Sequence, residues 1–295
     1  MSLTHRILRV SFAMSGDGST QSLSFTNLRM RAQITVAGST ETHLRLSIYG
    51  MTLSHMNALS YVPFLTDSVG NNTILVEAGD AESGMSTVFQ GTIFLAWPNM
   101  QNAPEVSFDV EAMVGVYNGV KPANPPYLSF SGPTDVATAA QKIAGLHDPP
   151  LTFENNGVNL QIDSPYFWGS PRNMMHQLGK ITRMGWIEEN GKLAIWPQQG
   201  SRTSAGTQII SPQTGMVGYP AAVPGYIVVK KLFDRAVPYA SQVTVQSDIQ
   251  RACGSWTVWY VNYELENYLM PHNRWFTTLF CSKLGASAPP PPAGG

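Results

Sequence analysis

Residues 207–235 read TQIISPQTGMVGYPAAVPGYIVVKKLFDR, and the alternation of β-prone runs with prolines and glycines in this stretch decides the fold class. Ile209 and Ile210 open a strand that Ser211 and Pro212 close, because proline brings no amide hydrogen to a ladder. A loop punctuated by Gly215, Gly218, Pro220, Pro224 and Gly225 follows, and then the β run Tyr226, Ile227, Val228, Val229. Glycines free to take positive φ, set among prolines of fixed φ, predict a loop held in one shape. Met216, Val217 and Tyr219 place apolar area on that loop and bring no catalytic group. A contact surface suits them better than an active site.

Downstream, residues 242–246, 255–266 and 275–282 are strand candidates. In the second of these, Trp256, Val258 and Tyr260 share one face, and Trp259, Val261 and Tyr263 share the other. Both faces are apolar, so both are expected to be covered, one by a barrel interior and one by a neighbouring subunit. Trp256, Trp259 and Tyr263 therefore join Met216, Val217 and Tyr219 as candidate interface residues. Strand aromatics also stack sugars and nucleobases, so a carbohydrate-binding β module is the alternative.

Upstream, Leu28, Met30, Ala32, Ile34 and Val36 fall on one face with the period of two of a half-buried strand. Residues 44–48 repeat the pattern, and 51–65 allow a short helix before Pro63. Strands are then expected at 73–77, 86–96 and 105–114. Four prolines crowd residues 119–133, and beyond them the period changes. Val136, Ala139, Ala140, Ile143 and Ala144 have helical spacing, with Thr134 as N-cap and Gly145 and Pro149 at the end. Ser170 and Pro171 cap a second helix whose apolar face is Met174, Met175, Leu178 and Ile181, with Gly185 as its stop. Strands at 151–154 and 158–162 lie between the helices. The pair Asn190-Gly191 turns a hairpin.

The strand order of residues 74–114 is echoed by residues 243–282. The expected architecture is mainly β with a small α+β insert: a first β-barrel at 1–125, an α+β middle domain at 126–200, and a second barrel at 201–285. The tail at 286–295, ASAPPPPAGG, favours extended polyproline and reads as a solvated terminus.

Composition narrows the function. Charged residues make up 13% of the chain, with a net charge of −1, against about 25% charged in typical soluble proteins. So sparse a charge gives a lone molecule little colloidal protection, which points to a surface covered by partners. It also lacks the basic excess that grips nucleic acid through phosphates. Cys253 and Cys281 have no metal-ligand or redox spacing and read as buried thiols. The first residues, MSLTHRILRV, carry no signal-peptide core, and no run is long enough to span a membrane; synthesis in a cytoplasm is expected.

Nucleophile elbow, phosphate loop, zincin and dinucleotide motifs do not occur. The His147-Asp148 pair lacks a nucleophile and reads as a polar loop after a helix. Glu188 and Glu189 are adjacent on a strand and point to opposite faces, so they cannot jointly flank one bond and read as a solvated edge. His176 reads as a partly buried helix residue, Lys230, Lys231 and Arg235 as a solvated basic edge, and the sequon at Asn71 carries no weight. No catalytic, cofactor-binding or metal-ligating residue is named.

Three groups of strings carry a family resemblance. SPQTGMVGYP followed by GYIVVKKLFD, NNTILVEAGD with VFQGTIFLAW and PEVSFDVEAM, and the middle GVNLQIDSPYFWGSPRNMMHQLGKITRMGWIEENGKLAIWP resemble, in that order, baseplate hub proteins of contractile-tailed, Mu-like bacteriophages. The resemblance implies two barrels akin to the tail-tube subunit and a homotrimeric ring between a six-fold tube and a three-fold central spike. Its implied partners are the tail tube protein, central spike protein, baseplate wedge proteins and tape measure protein, with DNA only in transit through an axial channel. It implies a place in the virion tail baseplate and neither enzyme activity nor a cofactor; related injection machines such as type VI secretion spikes share hub-like domains.

Overall fold

A computed structural model describes residues 6–15, 20–38, 42–63, 72–80, 82, 84–115, 126–204, 206–268 and 273–283. The proline-rich tail, Asn71 and the linker residues 116–125 lie outside them. The chain forms two compact units.

The first unit takes in Met1–Thr35, Glu41–Tyr117 and Asn262–Phe276. Its elements are β1 (Arg6–Ser15), β2 (Thr20–Phe25), β3 (Arg29–Val36), β4 (Thr42–Tyr49), α1 (Leu53–Leu59), β5 (Thr73–Asp80), β6 (Gly84–Asn99) and β7 (Ser107–Met113). The end of β19 (Gly254–Asn267) completes it, and the strands hydrogen-bond in the order β19–β3–β4–β7–β6–β5–β1–β2. The expected alternation is present: Leu8, Val10 and Phe12, then Met30, Ala32 and Ile34, then Leu44, Leu46 and Ile48 are buried, with their neighbours outward. Each such large side chain contributes about 1.5–3 kcal/mol by leaving water. Thr52 caps α1 by accepting from the His55 amide, which sets Met56 and Leu59 in the core.

The second unit takes in Val36–Thr40, Asn118–Val261 and Thr277–Gly295. Its first part is an α+β module: β8 (Tyr127–Ser129), β9 (Pro133–Asp135), α2 (Val136–Gly145), β10 (Thr152–Asn155), β11 (Gln161–Asp163), β12 (Tyr166–Trp168), α3 (Pro171–Thr182), β13 (Gly185–Glu189) and β14 (Lys192–Trp196). The inward faces of α2 and α3 close over Phe167, Trp186, Leu193 and Ile195. Asn190 and Gly191, at φ 49° and 73°, make the predicted hairpin turn.

Three local expectations change. Asp135, rather than Thr134, caps α2, its carboxylate accepting from the Thr138 amide at 2.9 Å. Arg183, at φ 57°, ends α3; Gly185 instead lies where a Cβ would strike the Trp196 indole. Ile181 is 61% exposed, because α3 buries Met174, Met175, Leu178 and Gly179.

The second part of this unit holds β15 (Gln208–Ile210), β16 (Ala221–Val223), β17 (Tyr226–Leu232), β18 (Gln242–Val245), β19 and β20 (Trp275–Ser282). They run in the order β16–β17–β20–β19, with β18 on β19 and β15 parallel to β18. A short strand, a long central strand and a third strand (β18, β19, β20) thus repeat the arrangement of β5, β6 and β7. The fold is mainly β. The described ladders do not close into a ring in either unit: β2 ends the order in the first and β16 in the second.

Candidate functional site

The loop between β15 and β16 is built from hydrogen bonds that the sequence only outlines. Ser211 and Thr214 exchange side-chain-to-backbone bonds in a capping box around the turn Pro212–Thr214. The Thr214 hydroxyl also donates to the Ile209 carbonyl at 2.8 Å. Gly215 follows at φ 94°, and its carbonyl accepts from Leu232 N at 2.8 Å. Val217 N donates to the Lys230 carbonyl at 2.8 Å. The loop is therefore pinned to β17, and it presents Tyr219 at 65% and Val217 at 37% exposure. Met216 is buried beneath them.

Trp256, Trp259 and Tyr263 are all buried within the single chain. The buried register shifts by one residue between Val258 and Trp259: Trp256 and Val258 precede the shift, and Trp259, Val261, Tyr263 and Leu265 follow it. Trp256 donates through Nε1 to the Ala252 carbonyl at 2.9 Å, and Lys283 Nζ sits 4.0 Å above its ring. Trp259 packs edge-on to Tyr226 at 5.4 Å and Phe280 at 5.8 Å. Its face is covered by the chain's own aromatics, so no neighbouring subunit is needed to seal it. Of the six candidate interface residues, Val217 and Tyr219 reach the surface of one chain.

An exposed aromatic face elsewhere went unread in the sequence. Tyr127, Tyr166 and Trp168 stand out from β8 and β12. The short runs PYLS and PYFWGS carry β alternation over only three residues each, too little for periodicity to register.

Two charged clusters were also missed. His147 and Glu188 are buried and face each other at 3.0 Å, which corrects the reading of Glu188 as a solvated edge and places His147, expected in a polar loop after the helix, in the interior. Glu189, taken as part of the same edge, meets Arg202 Nη1 at 2.5 Å. Arg202 is itself buried, and its other nitrogens bond Glu154 at 3.1 and 3.3 Å. Burial alone would raise the Glu154 carboxyl, but hydrogen bonds from Arg202, Asn156 and Ser204 outweigh it and hold the group at about 2. Burial likewise disfavours the Arg202 charge, and the pull of Glu189 and Glu154 reverses this and raises the guanidinium. Lys231, taken as solvated, is buried and paired with Asp234 at 2.7 Å. His176 is exposed, with its ring edge-on to Trp186. Cys281 is buried and Cys253 partly so, both unlinked; burial pushes the Cys281 thiol well up.

The first unit has a shallow pocket lined by Arg31, Gln33, Glu264, Glu266 and Arg274. Its charges neutralise one another: Arg31 Nε reaches Glu266 at 2.9 Å, Arg274 Nε reaches Glu266 at 3.9 Å, and Arg274 Nη1 reaches Glu264 at 3.5 Å. Among the described residues no three His, Cys, Asp or Glu side chains could together hold a metal ion, and no helix is long and apolar enough to cross a membrane.

The sequence profile described as baseplate hub gp41 matches residues 7–279. The chain belongs to the baseplate hub gp41 family. That membership makes it a structural component of a phage tail. The hub fold recurs in solved structures of low identity. The tail protein from Neisseria meningitidis MC58 superposes with a TM-score of 0.59 at 10% identity, covering 94% of this chain and 96% of that one. The 43 kDa tail protein of prophage MuSo2 from Shewanella oneidensis gives 0.55 at 10% identity, covering 95% and 97%. The Escherichia coli c3393 protein, described as a component of the type VI secretion system, gives 0.53 at 10% identity, covering 87% and 73%. At such identity the likeness is one of fold. No curated protein matches the chain in sequence.

Proposed function

We propose that this hub chain assembles as a homotrimeric ring at the end of the tail tube, joining the six-fold tube to a three-fold central spike around an axial channel. The family match across residues 7–279 carries the reading. The repeated strand arrangement, β5–β6–β7 and β18–β19–β20, supports it. Two related tube-like barrels per chain, flanking the α+β module at 126–200, would let three chains offer six quasi-equivalent surfaces to the tube. The tube, spike, wedge and tape measure proteins are the partners, and the rigid loop bearing Val217 and Tyr219 is a contact with one of them or with the next hub chain. DNA passes through the channel without being gripped, in keeping with a net charge of −1. The work is symmetry adaptation and force transmission, without a cofactor and without catalysis. The chain is made in the host cytoplasm and ends in the virion.

Of the aromatics on which the sugar-binding alternative rested, Trp256, Trp259 and Tyr263 lie inside the chain, Tyr260 is half-buried and Tyr268 is exposed, which weakens that reading. The fold shared with the c3393 protein leaves a related contractile injection system as a second setting for the same role. Native mass spectrometry and electron microscopy of the chain, alone and mixed with tube and spike proteins, test the proposal. Three copies in a ring with an open centre are expected; a monomer under all three conditions overturns it.

A further inference from the structure

The α+β module has a hydrophobic core of its own. That core packs α2 and α3 on one side of the sheet β10–β14–β13 and draws its members from residues 128–195. Among the described residues the module's three ladders are separate from the large sheet. On the other side of β10–β14–β13, Glu154, Ala194 and Ile187 lie in register across the three strands and so share a face. Glu189, two residues from Ile187, shares it too. Ala194 and Ile187 are buried there while standing outside the module's core.

The chain leaving the module returns across that second face. After Trp196 it turns, Gly200 N donating to the Pro197 carbonyl at 2.8 Å, and Arg202 then bridges to Ser241 in the second part of the same unit. Arg202 N donates to the Ala240 carbonyl at 2.8 Å. Its buried guanidinium reaches back to Glu154 on β10 and Glu189 on β13, the strands on either side of β14. Thr203 N and Ser204 N donate to Asn156 Oδ1 at 3.0 and 3.1 Å, and Ser204 Oγ donates to Glu154 at 2.7 Å. Trp196 adds a ring contact to Tyr239, with centroids 6.0 Å apart. Ala240, which receives the Arg202 amide, holds a left-handed φ of 62°, a strained conformation for alanine that persists where its surroundings fix it.

Two consequences follow from this chemistry. A body with its own core, joined to its neighbour largely by hydrogen bonds and charge, separates without opening that core, and contacts of this kind permit relative motion. The joint also depends on compensation: a buried guanidinium is tolerated only while its carboxylates balance it, and otherwise it is driven toward water. Arg202 alone bonds both sides at once, through its backbone to Ala240 and through its side chain to two strands of the module.

We propose that Arg202 is a latch: closed, it fixes the α+β module to the second part of its unit, and open, it lets the module come away as a folded body. The device belongs to the single chain and does not depend on the ring. The test uses the full chain. Glu154→Gln combined with Glu189→Gln keeps acceptors beside Arg202 and removes both compensating charges. Arg202→Lys keeps the charge and loses the forked geometry, and it decides should the double variant fail to fold. Trypsin under native conditions reads the latch directly, because residue 202 is a cleavage site in all three proteins and is buried when the latch is closed. Cleavage after residue 202 is expected to be at least about tenfold faster in the variants, following the population of the open form. Hydrogen exchange at Thr203 and Ser204 speeds by a similar factor. Amides of α2, α3, β17 and β19 keep the protection they have in the parent, and Lys142 and Lys180, inside the helices, stay uncut. Unchanged cleavage and exchange at residues 202–204 in both variants overturns the proposal, since something other than Arg202 would then hold the contact. Loss of protection in α2 and α3 together with the junction overturns it as well, since module and sheet would then unfold as one unit.

Discussion

His147 Nε2 lies 3.0 Å from Glu188 Oε1, with both side chains sealed from solvent in the second unit. The other ring nitrogen, Nδ1, faces the Ile143 carbonyl at 3.1 Å. Both ring nitrogens thus face oxygen acceptors, and the tautomer protonated at Nε2 donates to the carboxylate. The contact ties the end of α2 to β13. Glu188→Ala leaves the ring's donor buried and unpaired and is expected to cost about 1–3 kcal/mol. Glu188→Gln keeps an acceptor there and costs about 1 kcal/mol. Urea unfolding of the three proteins measures the difference, and equal losses would show that the charge, rather than the acceptor, is what the site requires.

Arg202 sets a pH dependence. Glu154 falls from an ordinary value near 4.5 to about 2 in the folded chain, a depressed carboxylate. Its contribution is therefore fully present above about pH 4.5 and is lost as pH falls from there to about 2. With part of the cluster open to solvent, about 2 kcal/mol is the expected size. Denaturant midpoints at pH 7, 4 and 3 should fall in that order, and Arg202→Met should flatten the slope between pH 4 and 3 while lowering stability throughout.

Regular elements were legible wherever several residues repeat a period. The run from Leu28 to Val36 states its buried face outright, and Ser170-Pro171 states the start of α3. Both rest on local rules that tertiary context did not override. The buried charges of Glu188 and Arg202 were not legible, because their partners His147 and Glu154 lie 41 and 48 residues away. Long-range pairing leaves no trace in composition. The apolar strand β19 misled for a related reason: two apolar faces were taken to need a second chain, whereas Tyr226 and Phe280 of the same chain cover Trp259.

Gly185 illustrates a different kind of error. A helix stop tolerates any residue that accepts left-handed φ, and Arg183 supplies it. What Gly185 provides is space: a Cβ there would meet Trp196 Nε1 and Cε2, and Trp196 is buried. Gly185→Ala is expected to lower stability by about 1–3 kcal/mol through overpacking. Gly157, with nothing near its would-be Cβ but φ at 90°, should lose only about 1 kcal/mol as alanine, through backbone strain alone. Thermal melts of the two single variants rank the effects.

Trp259 Nε1 is buried without a hydrogen-bond partner, an uncompensated cost in the middle of an otherwise well-packed aromatic group. Trp259→Phe removes the donor and keeps ring contact with Tyr226 and Phe280. Loss of area and relief of the unpaired N–H nearly offset, so the expected change lies within about 1 kcal/mol, whereas Trp259→Ala costs about 3–5 kcal/mol. A Phe variant as unstable as the Ala variant, in chemical denaturation, would mean that the indole nitrogen has a partner after all.

Val217 and Tyr219 separate assembly from folding. Their backbone is pinned by Ser211, Thr214 and β17, while the side chains contribute little to the interior of one chain. Replacing both by Ser should leave the unfolding midpoint within about 0.5 kcal/mol of the parent, as for other surface changes. If this loop is a hub contact, the same double variant weakens trimer formation or tube binding by about tenfold or more, since a centrally placed tyrosine carries an outsized share of contact energy. Mass photometry across a dilution series, with and without tube protein, reads the effect. Unchanged stability with unchanged assembly would remove this loop from the interface and leave the trimer to be built from other surfaces.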